Sequence, residues 1–468
     1  MRGVLLLVLL AASGATGSQP VEVGRRSSVT LLHISDYHSH ALPFYTDEGE
    51  RGGIARAIGF LREQKRNGAL VFSGGDTINK GSPAWSDKYG CAEWAWFNGV
   101  LDAMAFGNHD ADYGFATLQE CRATTRYPIL SANTSGFRGT HVLRRRGVRI
   151  GVFAVAGDDF PQLVKDVPQL KFTDPIEAAR AAVKDLRERG QVDVVVMIGH
   201  QHAEDDYALA KTVPGIDLIF GSHSHLKREL TRIPGTDTWY ISPSQYLTYI
   251  SRVEVTIEDL ERRTLSPSNS GGLRARRSSV LSMKGALIPV DEKLAEDVEI
   301  AKRVSKMQNE LEQDLQYSAL FRDIGKLDTP LSMNDLARRA LETMRTTARA
   351  DVALSTTSSV RGSLAAGRVT LEELRAAMPY DNEIVACRMT APQLQRVLDF
   401  NKHRQGTDAE SAVAGKVDQL DPDASYRVAT TDYLAFVAYK EVFSCDVERT
   451  RLRVRDEVRK TLTASPSP

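Results

Sequence analysis

The stretch MAFGNHDADYG (Met104–Gly114) places an amide, an imidazole and two carboxylates directly after a short apolar run. Asn108, His109, Asp110 and Asp112 supply these groups. A run of this kind, closed by a glycine, predicts a buried strand followed by a tight turn. Taken alone, the stretch is a polar turn after a strand, and its meaning depends on the rest of the chain.

Four further motifs also place His or Asp after an apolar run: HISDYHSH, VFSGGDTIN, VMIGHQH and IFGSHSHL. Residues that follow the carboxyl ends of strands in an open α/β sheet converge on one crevice, so we expect these groups to form one site. The side chains assigned to it are Asp36, His38, Asp76, Asn108, His109, His200, His223 and His225. His40 and His202 are assigned to loops nearby, and His33 to the core or to a supporting role.

This set of side chains has the chemistry of a two-metal centre. Imidazole and carboxylate ligands suit Zn²⁺, Mn²⁺, Fe or Co. A bridging carboxylate can hold two ions about 3.5–4 Å apart, as two-metal phosphatases require. Such ions lower the pKa of a bound water and neutralise the charge that grows on a phosphoryl group.

The order of elements predicts an α/β fold with a second, smaller unit. From Thr30 to about Leu260, short apolar runs alternate with amphipathic helical stretches such as DPIEAARAAVKDLRERG, which favours strands covered by helices on both faces. Residues 261–279, rich in Ser, Arg and Gly, predict a surface loop. VDEKLAEDVEIAKRVSKMQNELEQDLQ predicts a long polar helix between domains, and a second α/β or α+β unit follows over about 319–463.

Composition and the two termini indicate a secreted protein. The 468 residues include 60 basic and 60 acidic side chains, a balance that argues against a nucleic-acid binder or a membrane-surface protein. Residues 1–17, MRGVLLLVLLAASGATG, have the pattern of a cleaved secretory signal peptide. The polar tail TLTASPSP lacks the hydrophobic segment of a GPI signal, so no stable membrane anchor is expected. The sequence leaves the oligomeric state open.

The four cysteines fit an oxidising compartment. The pairs Cys91–Cys121 and Cys387–Cys445 are favoured because each lies within one half of the chain, although three connectivities and free thiols all stay open. Asn133 begins an Asn-Thr-Ser sequon and is a candidate glycosylation site.

The order Asp-x-His, Gly-Asp, Gly-Asn-His-Asp, Gly-His, Gly-x-His-x-His resembles the calcineurin-like metallophosphoesterase superfamily. The stretches LLHISDYHSH, RGGIARA, SGGDTINKGSP, YPILSAN and DLIFGSHSH narrow the resemblance to the 5′-nucleotidase family, which includes periplasmic UDP-sugar hydrolases and animal ecto-5′-nucleotidases. The resemblance covers nearly the whole mature chain and is strong to about residue 260. It implies a four-layer α/β/β/α domain over 28–290, a linker helix over 291–318 and a smaller α/β specificity domain over 319–463.

The resemblance also assigns roles within the site. It implies that one metal takes Asp36, His38, Asp76 and His225, and that the other takes Asp76, Asn108, His200 and His223. His225 stands where family members often have Gln or Asn, so the choice among Zn, Mn, Mg and Co can differ here. His109 resembles the family's catalytic histidine, and Asp112 resembles the partner that fixes its tautomer. Asp110 is assigned to cap the following helix or turn.

The expected specificity domain departs from the family pattern. STTSSVRG stands where the family has a motif resembling Asn-Gly-Gly-Gly-Ile-Arg, so Arg361 is kept for phosphate while residues 356–359 replace the Asn and the glycines. MPYDN supplies Tyr380 as one wall of an aromatic clamp on a base. Tyr439 or Phe443 is the candidate for the second wall, and ordinary core or surface aromatics are the alternative.

The sequence therefore predicts a secreted dinuclear-metal phosphohydrolase that releases phosphate from 5′-nucleotides or related phosphoesters, an activity of nucleotide catabolism. A phosphoesterase for a cyclic nucleotide, a nucleoside diphosphate or a sugar phosphate is the near alternative, because the base-binding motifs are eroded. A secreted binding protein with a structural metal is an alternative of a different class, which the intact His109–Asp112 pair disfavours. The expected partner is a small phosphoester rather than a nucleic acid.

Overall fold

The computed structural model describes residues 25–81, 83–260, 277–356, 359–405, 412–417 and 420–463. The expected signal peptide at 1–17, most of the expected loop at 261–279 and residues 357–358 of the altered glycine motif lie outside these ranges.

The N-terminal two thirds of the described chain contain strands β1 to β14 and helices α1 to α8. The strands are β1 (Arg25–Ile34), β2 (Pro43–Thr46), β3 (Gly49–Gly52), β4 (Leu70–Ser73), β5 (Ala103–Ala105), β6 (Ile129–Leu130), β7 (Thr140–Arg145), β8 (Val148–Phe153), β9 (Val194–Met197), β10 (Leu218–Phe220), β11 (Lys227–Arg232), β12 (Trp239–Pro243), β13 (Tyr249–Leu260) and β14 (Arg277–Pro289). The helices are α1 (Ile54–Arg66), α2 (Ala84–Tyr89), α3 (Cys91–Trp96), α4 (Gly114–Thr124), α5 (Phe160–Leu163), α6 (Pro175–Glu188), α7 (Ala203–Thr212) and α8 (Val298–Gln313), with 3₁₀ turns at His109–Ala111 and Ser318–Phe321.

Two six-stranded sheets pack face to face in this part of the chain. One has the order β14-β13-β1-β4-β5-β6 and the other the order β11-β12-β10-β9-β8-β7. In the first sheet β1, β4, β5 and β6 run parallel, and in the second β8, β9, β10 and β12 run parallel. The apolar layer between the sheets includes Leu31, Phe72, Val196 and Phe220, all fully buried. Because these strands run parallel, loops from several of them meet at one edge.

Helices cover the outer faces of both sheets. Successive strand residues alternate between the layers: Leu31 packs between the sheets, whereas Leu32 packs under the helices that cover the first sheet. Helix α6 covers the second sheet; Asp174 caps it by accepting a hydrogen bond from the Glu177 N–H at 2.8 Å, and Leu186 is among its buried residues. The predicted four-layer α/β/β/α architecture is confirmed.

The C-terminal part forms a smaller α/β unit, as predicted. Its strands are β15 (Asp323–Leu327), β16 (Val352–Leu354), β17 (Gly367–Thr370), β18 (Glu383–Thr390), β19 (Val413–Gly415), β20 (Ser425–Thr431) and β21 (Glu448–Arg453). Its helices are α9 (Met333–Thr347), α10 (Leu371–Ala377), α11 (Ala391–Gln405) and α12 (Val454–Thr463), with a π-helical turn at Leu434–Ala438. A five-stranded sheet of order β19-β16-β20-β18-β21 has one apolar core on each face.

Both favoured disulfides are present. Cys91–Cys121 joins α3 to α4, and Cys387–Cys445 joins β18 to the segment before β21. Asn133, the candidate glycosylation site, is buried, and its side-chain amide donates to the carbonyls of Ala156 and Thr173 at 2.9 and 3.1 Å. The folded chain therefore hides this acceptor nitrogen.

Helix α8 corresponds to the predicted polar helix but is not a free connector. It buries Ile300, Val304 and Leu311 in the core beneath α1. Within the described ranges, no helix is long and apolar enough to cross a membrane.

Candidate metal centre

The seven predicted metal ligands meet at the carboxyl ends of strands from both sheets. Their positions are Asp36 and His38 after β1, Asp76 after β4, Asn108 after β5, His200 after β9, and His223 and His225 after β10. Asp36, His38, Asp76 and His200 are almost completely buried. The parallel arrangement of these strands explains how residues far apart in sequence come to share one crevice.

Asp36, His38 and His225 form one group of close ligand atoms. His225 Nε2 lies 3.3 Å from Asp36 Oδ1 and 3.1 Å from His38 Nε2. His38 Nε2 also lies 3.7 Å from Asp76 Oδ2. Two imidazoles and a carboxylate at this spacing can bind a single divalent ion.

Asp76, His200 and His223 form the neighbouring group. His200 Nε2 lies 3.1 Å from Asp76 Oδ2, and the buried Asn108 Oδ1 has no hydrogen-bond partner among the described residues. A buried polar atom without a partner is costly, and an ion bound to the Asn108 amide oxygen would remove that cost. Because Asp76 is also close to His38, this carboxylate can serve both groups. The residues present therefore fit a pair of divalent ions.

The buried carboxylate of Asp76 is ionised. Burial acts to raise the pKa of Asp76, but the imidazoles of His200, His109 and His38 outweigh it and hold the pKa well below its usual range. An ionised carboxylate in a buried setting needs a positive partner, and a divalent cation provides one.

The loops that carry the candidate ligands have strained backbone conformations. Asp36, His38, Asp76, His223 and His225 all have positive φ, between 49° and 61°. Each such residue costs about 1–2 kcal/mol, and strain of this kind collects at functional sites. A side chain at Gly107 would place its Cβ 2.2 Å from Asp76 Oδ1, so only glycine allows the loop after β5 to approach that carboxylate.

Asp110 joins two loops instead of capping a helix, so its predicted role is wrong. Its carboxylate accepts hydrogen bonds from the backbone N–H groups of Thr77 (2.8 Å), Gly107 (2.9 Å) and Asp76 (3.2 Å). Burial and the neighbouring Asp76 raise the pKa of Asp110 to about 7. The sequence shows no sign of this role because two of the three partners lie on a distant loop.

Glu93, which the sequence analysis did not single out, holds the loop that carries His38. The Ser39 hydroxyl donates to Glu93 Oε2 at 2.5 Å, and the Tyr37 hydroxyl donates to Oε1. Glu93 is fully buried in α3, and burial raises its pKa to about 7. An acidic residue in a short helix gives no sequence signal for such a contact.

The predicted catalytic pair is formed. His109 Nδ1 lies 2.8 Å from Asp112 Oδ2, and the Lys80 N–H donates to the same oxygen at 3.0 Å. The His109 backbone N–H donates to Asp76 Oδ1 at 2.8 Å, which connects the pair to the candidate metal ligands. Burial acts to lower the pKa of His109, but Asp76 and Asp112 outweigh it and raise the pKa. With Nδ1 engaged by Asp112, Nε2 is the ring nitrogen left for a substrate.

Through Arg361, the C-terminal unit contacts residues beside the candidate metal centre. Its guanidinium donates to the Tyr380 hydroxyl, stacks 5.0 Å from the centre of the Tyr380 ring, and hydrogen-bonds the Tyr246 hydroxyl. Tyr246 stacks on His40, with ring centres 3.6 Å apart, and packs edge-on against His38 at 5.8 Å. Tyr246, which the sequence analysis also missed, thus links the predicted substrate residues Arg361 and Tyr380 to the loop that carries the candidate ligand His38.

The predicted second aromatic wall is not formed by Tyr439 or Phe443. Both are buried in the core of the C-terminal unit. Tyr439 packs against Phe400 at 5.1 Å, and its hydroxyl donates to the Asn401 amide oxygen. The alternative that these are core aromatics is correct.

Comparison with known families agrees with this architecture. The family model described as calcineurin-like phosphoesterase matches residues 29–227. The chain is thus a metallophosphoesterase by class. The model described as the 5′-nucleotidase C-terminal domain matches residues 326–418. Since both domains occur in this order, the chain belongs to the 5′-nucleotidase family, and it is a phosphoric monoester hydrolase.

Individual relatives match over most of the chain. Protein UshA of Yersinia enterocolitica is 24% identical, over 88% of this chain and 86% of its own length. A 5′-nucleotidase of Vibrio cholerae is 24% identical, over 84% of this chain and 79% of its own length. The crystal structure of a 5′-nucleotidase precursor from Thermus thermophilus superposes with a TM-score of 0.69 at 20% identity, covering 94% of this chain and 97% of the other.

Proposed function

We propose that this protein is a secreted phosphohydrolase that uses two divalent ions to release phosphate from 5′-nucleotides or closely related phosphoesters. The observation that carries the proposal is that seven candidate ligands and the His109–Asp112 pair share one crevice. A purely structural metal site would not need that pair, so a non-catalytic binding protein is disfavoured.

The proposed ligand sets follow the two groups of side chains. One ion would be held by Asp36, His38, Asp76 and His225, and the other by Asp76, Asn108, His200 and His223. These donors suit Zn, Mn, Mg or Co. When bound, the ions would activate a water molecule and neutralise charge on the phosphoryl group.

The chain's own residues would bind the substrate and move a proton. Asp112 fixes the His109 ring through Nδ1, so Nε2 would stabilise the transition state or protonate the leaving oxygen. Arg361 would bind a phosphate oxygen, because a guanidinium held by two tyrosines keeps its orientation. Tyr380, with 42% of its surface exposed, would contact the organic part of the substrate.

The nucleotide part of the proposal rests on the C-terminal family match and on relatives named 5′-nucleotidases. Burial of Tyr439 and Phe443 leaves the Tyr380 wall without the expected partner from that segment, which favours phosphoesters without a base, or cyclic and diphosphate substrates, as the second candidate.

Secretion is supported by the sequence of residues 1–17 and by the two disulfides. We also propose the division into 28–290, 291–318 and 319–463 as the domain organisation.

A panel of substrates tests the proposal. The full chain is stripped with a chelator, and phosphate release from 5′-mononucleotides, cyclic nucleotides, nucleoside diphosphates and sugar phosphates is measured with Mn²⁺, Zn²⁺, Mg²⁺ or Co²⁺ added back. We expect metal-restored release from 5′-mononucleotides, and its sharp loss in His109→Ala with unchanged metal content. Turnover of only the other esters would refute the nucleotide assignment, and no turnover of any ester would refute the proposed catalysis.

A further inference from the structure

Asp159 contacts the candidate metal centre from outside the predicted ligand set. Its Oδ2 lies 3.2 Å from His223 Nε2 and 3.3 Å from His202 Nε2. Asp159 precedes α5 at the N-cap position, but its side chain makes no capping hydrogen bond. The carboxylate is therefore free of a helix-capping role and is directed at the two imidazoles.

The contact with Asp159 favours ion binding through Nδ1 of His223 over binding through Nε2. A neutral imidazole carries one N–H, and a carboxylate beside Nε2 favours the tautomer with the proton on Nε2. The lone pair of Nδ1 is then available as a metal ligand. The His223 backbone N–H donates to the Asp36 carboxylate at 3.2 Å, so both the ring and the main chain of His223 are held.

His202 extends this arrangement toward solvent. Its side chain is 52% exposed, and it holds the same carboxylate oxygen that faces His223. The other oxygen, Asp159 Oδ1, is buried without a hydrogen-bond partner among the described residues. Among the described residues, the side chain of Asp159 therefore has polar contacts only with His223 and His202. It makes no further polar contact that would indicate a purely structural role.

We propose that Asp159 is a positioning residue for the ion bound by Asp76, Asn108, His200 and His223. It accepts the Nε2–H of His223 and so fixes the tautomer and the orientation of that ring. His202 in turn holds Asp159. Partners of this kind behind a metal ligand typically change metal affinity by about 10–100-fold. The inference rests on the proposed two-ion centre.

Metal titration of matched variants tests this role. Metal-free full-length protein is titrated with Co²⁺ or Mn²⁺ alone by calorimetry, and the visible absorption of the Co²⁺ form is recorded. We expect two binding events in the wild type, and in Asp159→Asn a loss of about 10–100-fold in the affinity of one event only. The Co²⁺ spectrum of that ion should change too. Asp158→Asn, an exposed neighbouring residue, should match the wild type.

The outcomes separate this inference from the proposal on which it rests. Wild-type affinities and spectrum in Asp159→Asn would overturn the role of Asp159 while leaving the two-ion centre standing. An equal loss in both events, together with a lower melting temperature of the metal-free variant, would also overturn it, since the effect would then lie in the fold. Fewer than two ions in the wild type would overturn the two-ion centre itself. If Asp159→Asn does not fold, His202→Gln carries the test, with a smaller loss expected in the same event.

Discussion

At the scale of single residues, Asp76 organises the site. One carboxylate oxygen faces His200 and the other accepts the His109 N–H, so a candidate metal ligand and the proposed catalytic pair contact the same side chain. The sequence revealed Asp76 and His109 because each follows an apolar run and a glycine. It did not reveal Asp159 or Glu93, because their partners lie on loops distant in sequence and nothing local marks the contact.

The pairing of His109 with Asp112 gives a prediction at this scale. We expect Asp112→Asn to lower kcat for phosphate release by about 10²–10³-fold, because the carboxylate that orients the ring and favours its charged form is lost. KM and metal content should stay near wild-type values. Steady-state kinetics and elemental analysis of the same samples measure both. A variant with wild-type kcat would show that Asp112 does not act through His109.

At the scale of elements, helix α3 supports the loop after β1. That loop has positive φ at Asp36, His38 and Ser39, and Glu93 of α3 binds hydroxyls on either side of His38. The Cys91–Cys121 disulfide ties α3 to α4, the helix that follows the His109 turn. Two loops that carry site residues therefore share one support.

The pKa of Glu93 makes this support dependent on pH. Its pKa is raised by burial from 4.5 to about 7, so its contribution to the free energy of unfolding is fully present below about pH 4.5 and is lost as pH rises through about 7. Glu93→Gln has no such titration. We therefore expect the free energy of unfolding of Glu93→Gln, minus that of the wild type, to increase between pH 5 and pH 8. The increase should be about 3 kcal/mol at most.

Denaturant unfolding of the metal-free protein at several pH values measures this difference. A constant difference between Glu93→Gln and the wild type over that range would show that Glu93 is ionised throughout. Asp158→Asn, which alters an exposed carboxylate, serves as the control.

The elements themselves were predictable to different degrees. The apolar runs gave the buried strands, because a strand covered on both faces is apolar along its whole length. The sequence left two readings open for Tyr439 and Phe443, because the usual glycines after DYLA are absent. The burial of Tyr439 depends on packing against Phe400 and Asn401 of α11. The sequence next to these aromatic residues gives no sign of such packing, because the partners lie on a distant helix.

At the scale of the whole molecule, the two units meet around the site. The Ala84 N–H donates to Glu372 at 2.6 Å, and Ser363 donates to Asp47. Arg361 lies in the same segment as Ser363 and reaches Tyr246 of the other unit. A family motif led the sequence analysis to predict Arg361 as a phosphate-binding residue, whereas these contacts between the units are single hydrogen bonds with no sequence pattern.

Arg361 should therefore act on substrate binding rather than on the metals. We expect Arg361→Ala to raise KM for the phosphoester by about 10–100-fold, since a charge-assisted contact to phosphate is lost, with metal content unchanged. Arg368→Ala, 80% exposed in the same region, is the matched control and should behave as wild type. Initial rates over a range of substrate concentrations decide the point. An unchanged KM would remove Arg361 from the substrate site.

The central claim is a two-ion centre bridged by Asp76, and metal stoichiometry tests it most directly. Wild-type protein and Asp76→Asn are loaded with Mn²⁺ or Zn²⁺, dialysed and assayed by mass spectrometry of the bound metal. We predict two ions per chain in the wild type, and in Asp76→Asn at most one, together with loss of phosphate release. One ion or none in the wild type, or two retained in Asp76→Asn, would contradict the account.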